Sequence, residues 1–264
     1  MKFAQLRKEY HRRICRDLLR IGRDSRKGDY PNNADADSKI SVAIAWEIVG
    51  QLCDQPVSGT ISGQKAGTIF QQITKDFIEK TFELLQHIRP GKWIYSINTE
   101  RVTTLGSDYI VSPDIVIGRK PEPRKEINKG QKLLGKNHLV AQLTPLLQEN
   151  SDSPKAILHA SISCKWTLRS DRAQNSRTEA LNLIRNRKGN LPHIVAVTAE
   201  PTTTRIASLA LGTGDIDCVY HFALNELRAA ISSLGDESQM EMLNMLIDGR
   251  RLRDISDLPF DLAV

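Results

Sequence analysis

The sequence predicts an α/β fold in which a mixed central sheet is flanked by helices. Two apolar runs, 156–165 and 193–198, enclose a helical pattern at 173–187. The order strand, helix, strand is typical of two parallel neighbours in one sheet. Two further strand-like runs, 93–98 and 109–117, precede that unit. The first two strands follow one another without a helix between them, which is typical of an antiparallel pair. Such a pair beside a parallel strand–helix–strand unit makes the sheet mixed.

Helical patterns dominate the first third of the chain. Basic and apolar residues alternate at helical spacing over 2–21, and 40–52 forms a second helical pattern. The segment 22–38 is rich in Gly, Asp and Asn, and 58–67 contains three glycines, so both are predicted to be loops. A strongly amphipathic helix is predicted from 68 to 87, with its apolar positions on one face.

Composition indicates the remaining elements. A turn near Gly106 separates the first two predicted strands. The charged segment 119–136 contains prolines and glycines, and we predict an exposed connection there, with a short helix after it. Helical patterns at 222–233 and 237–249 close the chain. The 264 residues, 40% of them hydrophobic, suffice for one large domain or two small ones.

The bulk composition permits an anionic partner. The formal net charge is +6 and the isoelectric point is about 9.2, which suits nucleic acid without being specific to it. No run is long and apolar enough to span a membrane, and charges near the N-terminus argue against a signal peptide, so we expect a cytoplasmic protein. The four cysteines lack zinc-site spacing, so we expect reduced thiols at Cys15, Cys53, Cys164 and Cys218.

A carboxylate and a lysine stand near the ends of two predicted strands. Asp114 follows Ser-Pro and opens an apolar run, and Lys165 ends a later run, where it shares a face with Ser163. Glu179 follows on the next predicted helix. Two carboxylates can hold Mg²⁺ against a phosphodiester, and a lysine beside them can orient water or neutralise developing charge. The set predicts a Mg²⁺-dependent nuclease.

Each of these residues also has a structural explanation. Asp114 after a proline suits a turn or a cap, and Lys165 could reach water from a strand end. Glu179 could stabilise the dipole of its helix. The nuclease interpretation accounts for all three residues together. Other catalytic classes fit poorly, because the six histidines lack metal-binding spacing and no Walker motif occurs.

A cluster of planar hydrogen-bonding side chains follows Lys165. Arg169 and Arg172 could each bind guanine bidentately, and Asp171 could accept a hydrogen bond from cytosine in the major groove. A surface salt-bridge cluster is the structural alternative. These residue types suit the readout of G·C pairs.

Beyond single residues, long stretches of the chain resemble the CCGG family of type II restriction endonucleases. The resemblance is dense from about residue 156 onward, and the stretches that carry it are 159–175, 198–201, 211–214 and 254–259. It implies the PD-(D/E)XK nuclease fold, as a single domain over 1–264. It also implies Mg²⁺-dependent double-strand cleavage of DNA at the palindrome GCCGGC, a homotetramer, and a cognate DNA methyltransferase as functional partner.

The resemblance implies a catalytic role for four residues. Asp114 matches the metal-binding aspartate and Lys165 the catalytic lysine. Glu179 matches a metal-binding glutamate displaced onto a helix, and Ser163 matches a serine near the site.

The resemblance also implies a DNA-binding surface. Arg205 would read the outer G·C pair, and Gln64 would contact the minor groove. A loop near Asp37 and Ser38 would also reach the outer pair. The residues expected to read the CCGG core are Arg169, Asp171 and Arg172.

The chain departs from the family pattern in three places. Gln71 stands where the family enzyme has a glutamate near the active site, and the next acid, Asp76, lies on another face of the helix. The chain is shorter between Arg101 and Gly106, and residues 119–155 are divergent. The first departure bears on chemistry, and the other two bear on oligomer contacts.

Three other functions remain open at this point. A DNA-binding protein that no longer cuts would be consistent with Gln71. A structure-specific repair or recombination nuclease could share the fold. A basic α/β protein without nuclease activity is the third. The cluster Arg169–Arg172 favours sequence readout, and the joint occurrence of Asp114, Lys165 and Glu179 argues against the third.

Overall fold

The computed structural model describes most of the chain. The described residues are 2–86, 93–97, 102–103, 110–111, 113–135, 140–147, 156–168, 170–186, 189–212 and 214–263. The helices are α1 (Lys2–Arg13), α2 (Lys39–Leu52), α3 (Gly63–Leu85), α4 (Arg124–Ile127), α5 (Ser170–Arg185), α6 (Thr203–Ala210), α7 (Leu224–Leu234), α8 (Glu237–Asp248) and α9 (Leu258–Asp261). The strands are β1 (Ile21–Asp24), β2 (Gly28–Pro31), β3 (Trp93–Ile97), β4 (Val102–Thr103), β5 (Ile110–Val111), β6 (Ile115–Arg119), β7 (Ile157–Lys165), β8 (His193–Thr198), β9 (Cys218–His221) and β10 (Leu252–Asp254).

A mixed sheet forms the centre of the molecule. Within the described residues it has six strands in the order β10-β9-β8-β7-β6-β3. The pairs from β7 through β10 are parallel, whereas β3 and β7 each run antiparallel to β6. Helix α5 connects β7 to β8, so the predicted parallel strand–helix–strand unit is confirmed. The predicted α/β class with a mixed central sheet is also confirmed.

The helix α3 covers one face of the sheet. It packs against β7 and α1, and its buried positions recur every three or four residues, as an amphipathic helix requires. The helix begins earlier than the glycine-rich sequence suggested, because the Ser62 hydroxyl accepts a hydrogen bond from the Lys65 amide and caps the first turn. The apolar side chains that it buries are Ala66, Phe70, Ile73, Phe77, Ile78, Phe82 and Leu85.

Several predicted bounds agree with the structure. Helices α2, α7 and α8 and strands β3, β7 and β8 lie within about two residues of the predicted segments. Helix α5 begins at Ser170, three residues before its predicted start. The short helix predicted after the connection at 119–136 lies within that segment instead, as α4. The turn predicted near Gly106 lies outside the described residues.

Other predictions were wrong. The segment 22–38 is not a loop throughout, because most of it forms the hairpin β1–β2, and β1 also bonds to the backbone of Val57 and Gly59. Helix α1 ends at Arg13 and passes into a π-helical turn, Ile14–Leu18. The strand predicted at 109–117 is interrupted, since Pro113 has no N–H to donate to a ladder. The elements α6, β9, β10 and α9 were not predicted.

The cysteine expectation needs correction. Cys15 and Cys53 form a disulfide with their Cα atoms 5.7 Å apart, so these two are not reduced thiols. They lie 38 residues apart, and spacing rules for local motifs do not detect such a pair. Cys164 and Cys218 are free, as expected, and both are buried.

In the part of the chain that the structure describes, no helix has the length and apolarity to cross a membrane.

Candidate active site

The sheet brings Asp114 and Lys165 to the same edge. Asp114 immediately precedes β6, and Lys165 is the last residue of β7. Strands β6 and β7 are antiparallel, with Ile115 paired to Ile162, so the start of one strand lies beside the end of the other. The break in the strand at Pro113 frees the aspartate from the ladder and leaves its side chain available to its neighbours.

Asp114 and Lys165 form a direct ion pair. The Lys165 ammonium donates to Asp114 Oδ2 at 3.2 Å, and the Cys164 backbone amide donates to the same oxygen at 2.6 Å. The side chain of Lys165 is 18% exposed and that of Asp114 is 16% exposed, so both are mostly shielded and still open to a substrate. The pairing offsets the cost of holding a lysine in an apolar strand.

Gln71 completes the surroundings of the aspartate. It projects from α3, and its amide nitrogen donates to Asp114 Oδ1. Asp76 faces elsewhere, because it accepts from Arg13 at 2.7 Å in an ion pair between α3 and α1. The expectation that Asp76 lies on another face is therefore confirmed, and Gln71 is the α3 residue that contacts Asp114.

Glu179 lies on α5 within electrostatic range of the pair. Partial desolvation of its carboxylate raises the pKa of Glu179, attraction to Lys165 lowers it, and repulsion by Asp114 raises it. Much of the Glu179 side chain nevertheless remains exposed to solvent, so the surrounding atoms desolvate one side of it only. Ser163 forms a hydrogen bond of 3.1 Å with the buried Ser176, which ties β7 to the same helix.

The donor set fits Mg²⁺. Mg²⁺ prefers hard oxygen ligands, retains several waters, and is commonly bound through one or two carboxylates together with substrate phosphates. The carboxylates of Asp114 and Glu179 supply that minimum. Among the described residues, no group of three or more His, Cys, Asp or Glu could hold a metal ion. A site built here would leave most coordination positions to water and DNA.

A second charged cluster lies around Arg205. This residue, on α6, donates to Asp35 and lies 3.9 Å from Glu200. Arg205 and Asp35 line a cleft of about 380 Å³ beside the β1–β2 hairpin, together with Asp37 and Trp166. The cleft is polar and open to solvent, and a base edge or a backbone phosphate could enter it.

Glu200 forms the buried end of this cluster. Its side chain is fully buried and accepts from the Leu168 amide at 3.0 Å and from the Thr202 hydroxyl at 2.6 Å. Burial raises the pKa of Glu200, while these hydrogen bonds and the charge of Arg205 lower it. Glu200 therefore attracts Arg205 as an ion-pair partner, and Asp35 holds it by a direct hydrogen bond.

The other predicted DNA-binding residues are placed less completely. Arg169 lies outside the described residues, and Asp171 and Arg172 lie in the first turn of α5, where only the backbone is described. Gln64 is exposed in the first turn of α3. Asp37 pairs with Lys27 in the cleft, and Ser38 caps α2 by accepting from the Ser41 amide.

Sequence reasoning missed three residues of these clusters, Asp35, Ser176 and Glu200. Glu200 had a usable signal, because it follows β8, which runs parallel to β7, and Thr198 pairs with Lys165 in the sheet. Carboxyl ends of parallel strands meet at one edge, where sites of α/β proteins commonly form. Asp35 and Ser176 had no comparable signal, since long-range packing alone brings them to their partners.

The mixed sheet, with its paired acid and lysine at one edge, defines the fold as that of the PD-(D/E)XK restriction endonucleases. The chain belongs to the NgoMIV restriction enzyme family, whose model matches residues 10–102 and 96–264. It is 43% identical over 289 aligned positions to the type II restriction enzyme NgoMIV of Neisseria gonorrhoeae, covering 99% of each chain. Members of such a family are restriction endonucleases, that is, site-specific deoxyribonucleases.

A solved structure described as a restriction endonuclease PspGI–substrate DNA complex is also similar. It covers 84% of this chain and 70% of its own, with 18% identity and a TM-score of 0.33. A likeness at that level adds nothing to the family assignment.

Proposed function

We propose that this protein is a type II restriction endonuclease that makes Mg²⁺-dependent double-strand cuts in DNA at the CCGG-containing palindrome GCCGGC. The observation that carries the proposal is the Asp114–Lys165 pair at the sheet edge, with Glu179 in electrostatic range. The identity of 43% to NgoMIV over nearly the whole chain supports the same activity.

The catalytic roles follow from the chemistry of each group. Asp114 and Glu179 would bind the metal, and Lys165 would orient the attacking water or neutralise the charge that develops on the phosphate. Water attacks phosphorus in line, and the bond to the leaving oxygen breaks. Bound Mg²⁺ would supply Lewis-acid polarisation of the phosphate and lower the pKa of a water. Ser163 lies on the same face of β7 as Lys165 and would help position the scissile phosphate.

Sequence recognition would use the arginine-rich elements. Arg205 would read the outer G·C pair from the cleft, where Asp35 orients its guanidinium. Gln64, exposed at the start of α3, would reach the minor groove. The residues proposed to read the CCGG core are Arg169, Asp171 and Arg172.

The biological setting follows from the same assignment. We infer one endonuclease domain over 1–264, acting in the cytoplasm as a homotetramer on double-stranded DNA. A cognate DNA methyltransferase would protect host sites from cleavage. A palindrome presents two equivalent strands, which suits a symmetric assembly of two or more copies.

Digestion of a plasmid that carries GCCGGC sites tests the proposal. We expect discrete fragments in Mg²⁺ and none in EDTA, and sequencing of the fragment ends gives the cut position. Cuts at a different CCGG-containing site would preserve the chemistry and overturn the assignment of the outer base pair. Cuts at junctions or mismatches instead would support a structure-specific nuclease.

Gln71 favours one second candidate, a sequence-specific DNA-binding protein with weakened catalysis. Its neutral amide contacts Asp114, so the site has one carboxylate fewer than a glutamate would provide. This candidate predicts tight binding to GCCGGC in Ca²⁺ and no product in Mg²⁺. Cleavage at a normal rate would eliminate it.

A further inference from the structure

The helix that carries Glu179 is tied to the helix that carries Arg205. Arg177, on α5, donates from Nε to Asp215 Oδ2 at 3.2 Å, and from Nη1 to the Ser208 carbonyl at 3.4 Å. Ser208 lies in the last turns of α6, and Asp215 lies in the loop that follows. One guanidinium therefore bridges two elements that pack against each other.

The bridge is built into a tight space. The Asp215 side chain is only 1% exposed, and Arg177 is its charged partner among the residues that the structure describes. Gly212 lies beside both groups: a Cβ atom there would lie 2.5 Å from Arg177 Nη2 and 2.8 Å from Asp215 Oδ1. A larger residue would push the bridge apart. A side chain at position 212 would therefore force the ends of both side chains of the bridge to shift.

The ends of this bridge lead to the two charged clusters of the site. Glu179 follows Arg177 by two residues on α5, and the charges of Lys165 and Asp114 act on the pKa of its carboxyl group. On α6, the Ser208 hydroxyl donates to the Arg205 carbonyl at 2.7 Å, and the Arg205 guanidinium lines the cleft. A displacement of α6 on binding DNA would be transmitted through Arg177 to α5.

We propose that Arg177 is a positioning residue that couples recognition of the outer base pair by Arg205 to the placement of Glu179 at the active site. The inference rests on the proposed function. Arg177 itself touches neither the DNA bases nor the reacting phosphate in this proposal, and acts through α5. Cleavage at the correct site would then depend on the bridge more than cleavage at a site with a changed outer pair.

Single-turnover cleavage of a GCCGGC duplex and an ACCGGT duplex tests the coupling. We expect Arg177→Ala to slow cleavage of GCCGGC by about 100-fold, because small misplacements of catalytic groups cost that much. Cleavage of ACCGGT should fall much less, so the preference between the sites shrinks. Arg177→Lys should restore part of the rate. Arg185→Ala, which removes an exposed cation from the same helix, is the matched control and should cleave normally.

A double-variant cycle gives the decisive result. If Arg177 transmits the action of Arg205, the variant carrying both Arg177→Ala and Arg205→Ala should cleave GCCGGC no more slowly than Arg205→Ala alone. Independent, multiplying effects would overturn the proposal. An alternative result is that Arg177→Ala lowers the affinity for every DNA equally and reduces the slope of log affinity against log salt by about 1. That result would show that Arg177 contacts a phosphate, and it would also overturn the proposal.

Two measurements separate this proposal from the function on which it rests. Failure of the unaltered protein to cut would contradict the proposed function. The double-variant cycle is then carried out on binding in Ca²⁺, and the measured quantity is the ratio of affinities for GCCGGC and ACCGGT. The same non-additivity is expected in that ratio. Thermal unfolding of each variant identifies loss of folding. If Arg177→Ala unfolds, Asp215→Asn, which keeps an acceptor without its charge, replaces it in the cycle, with the same criteria.

Discussion

The catalytic cluster and the charged cluster around Arg205 each join two carboxylates to one cation, but they are assembled differently. At the catalytic cluster, backbone pairing between β6 and β7 sets the distance from Asp114 to Lys165. In the cleft, Arg205 is held by Asp35, which is 170 residues away in the chain, and by Glu200. Sheet register therefore fixes the first cluster, whereas tertiary packing fixes the second.

The two clusters carry the same formal charge, with two carboxylates and one cation each, but they arrange it differently. Asp114 and Lys165 balance one to one, Gln71 is neutral, and the nearby Glu179 leaves net negative charge that favours a cation. Around Arg205, the carboxylates of Asp35 and Glu200 hold one guanidinium, so Arg205 is fixed in direction before DNA arrives. The first arrangement is suited to holding a metal and the second to presenting a rigid hydrogen-bond donor.

Replacement of Lys165 should separate the two clusters most sharply. We expect Lys165→Ala to reduce cleavage by roughly 10³-fold or more, because the donor that opposes developing charge is lost. Specific binding in Ca²⁺ should remain, since the cleft is unchanged. Single-turnover cleavage and a binding assay on the same GCCGGC duplex measure the two effects.

The control for this variant is Lys80→Ala, which removes an exposed ammonium from α3. It should cleave at the normal rate. Normal cleavage by Lys165→Ala would show that the lysine has no catalytic role, and the assignment of the active site would then be wrong.

The same contrast explains how much of the site could be predicted from the sequence. Side-chain alternation placed Ser163 and Lys165 on one face, and the register of adjacent strands then brought Asp114 to Lys165 as predicted. The buried interior strands β7 and β8 were visible as apolar runs. Asp35 and the hairpin β1–β2 were not visible, because their short, polar strands resemble a loop until the contacts with Val57 and Gly59 are known.

Acid should weaken the structure beside the cleft through a buried histidine. His221 is buried beneath the cleft: it accepts from the Ala223 amide at Nδ1 and donates from Nε2 to the Glu200 carbonyl, both at 3.2 Å. Burial lowers the pKa of His221 to about 4, from 6.5. Because the folded pKa lies below the unfolded one, its contribution to stability is complete above pH 6.5 and is lost as the pH falls toward 4.

We therefore expect the free energy of unfolding to fall by up to about 3 kcal/mol over that interval through this residue. Protonation at Nδ1 would also break the hydrogen bond from Ala223. Chemical denaturation at pH 7 and pH 5 should show a smaller loss for His221→Gln than for the unaltered protein. His193→Gln, at a half-exposed histidine, is the control and should leave the loss unchanged. Equal losses in all three proteins would refute the assignment.

Replacement of Arg205 should remove recognition of the outer base pair and leave cleavage at other sites nearly unchanged. Each bidentate base contact contributes about 1–3 kcal/mol of discrimination, so Arg205→Ala should lose most of the preference for GCCGGC over ACCGGT. Its cleavage rate on the less preferred site should change little. Competition binding in Ca²⁺ measures the preference, with Arg12→Ala, an exposed arginine on α1, as the control. An unchanged preference would move the outer-pair readout away from the cleft.

Replacement of Gln71 probes the neutral amide that contacts Asp114, and we expect the smallest effect from it. Gln71→Met keeps the shape but removes the donor to Asp114 Oδ1, so the carboxylate is less firmly oriented and cleavage should fall about 10-fold, as for one hydrogen bond to a charged group. Gln72→Met is a matched control, because Gln72 donates to Asp76, on another face of α3, at 2.7 Å. Similar rates for both variants would exclude a role for Gln71.

Gln71→Glu tests the opposite change at the same position. A third carboxylate beside Asp114 and Glu179 should lower the Mg²⁺ concentration needed for half-maximal cleavage, because affinity for a hard cation rises with the charge of its ligands. A titration of cleavage rate against Mg²⁺ measures this, and Ca²⁺-supported DNA binding at low Ca²⁺ should improve in parallel. If Gln71→Glu requires more metal than the unaltered protein, the amide is better suited than a carboxylate to this site. The hydrogen bond from Gln71 to Asp114 would then matter more to metal binding than an added negative charge.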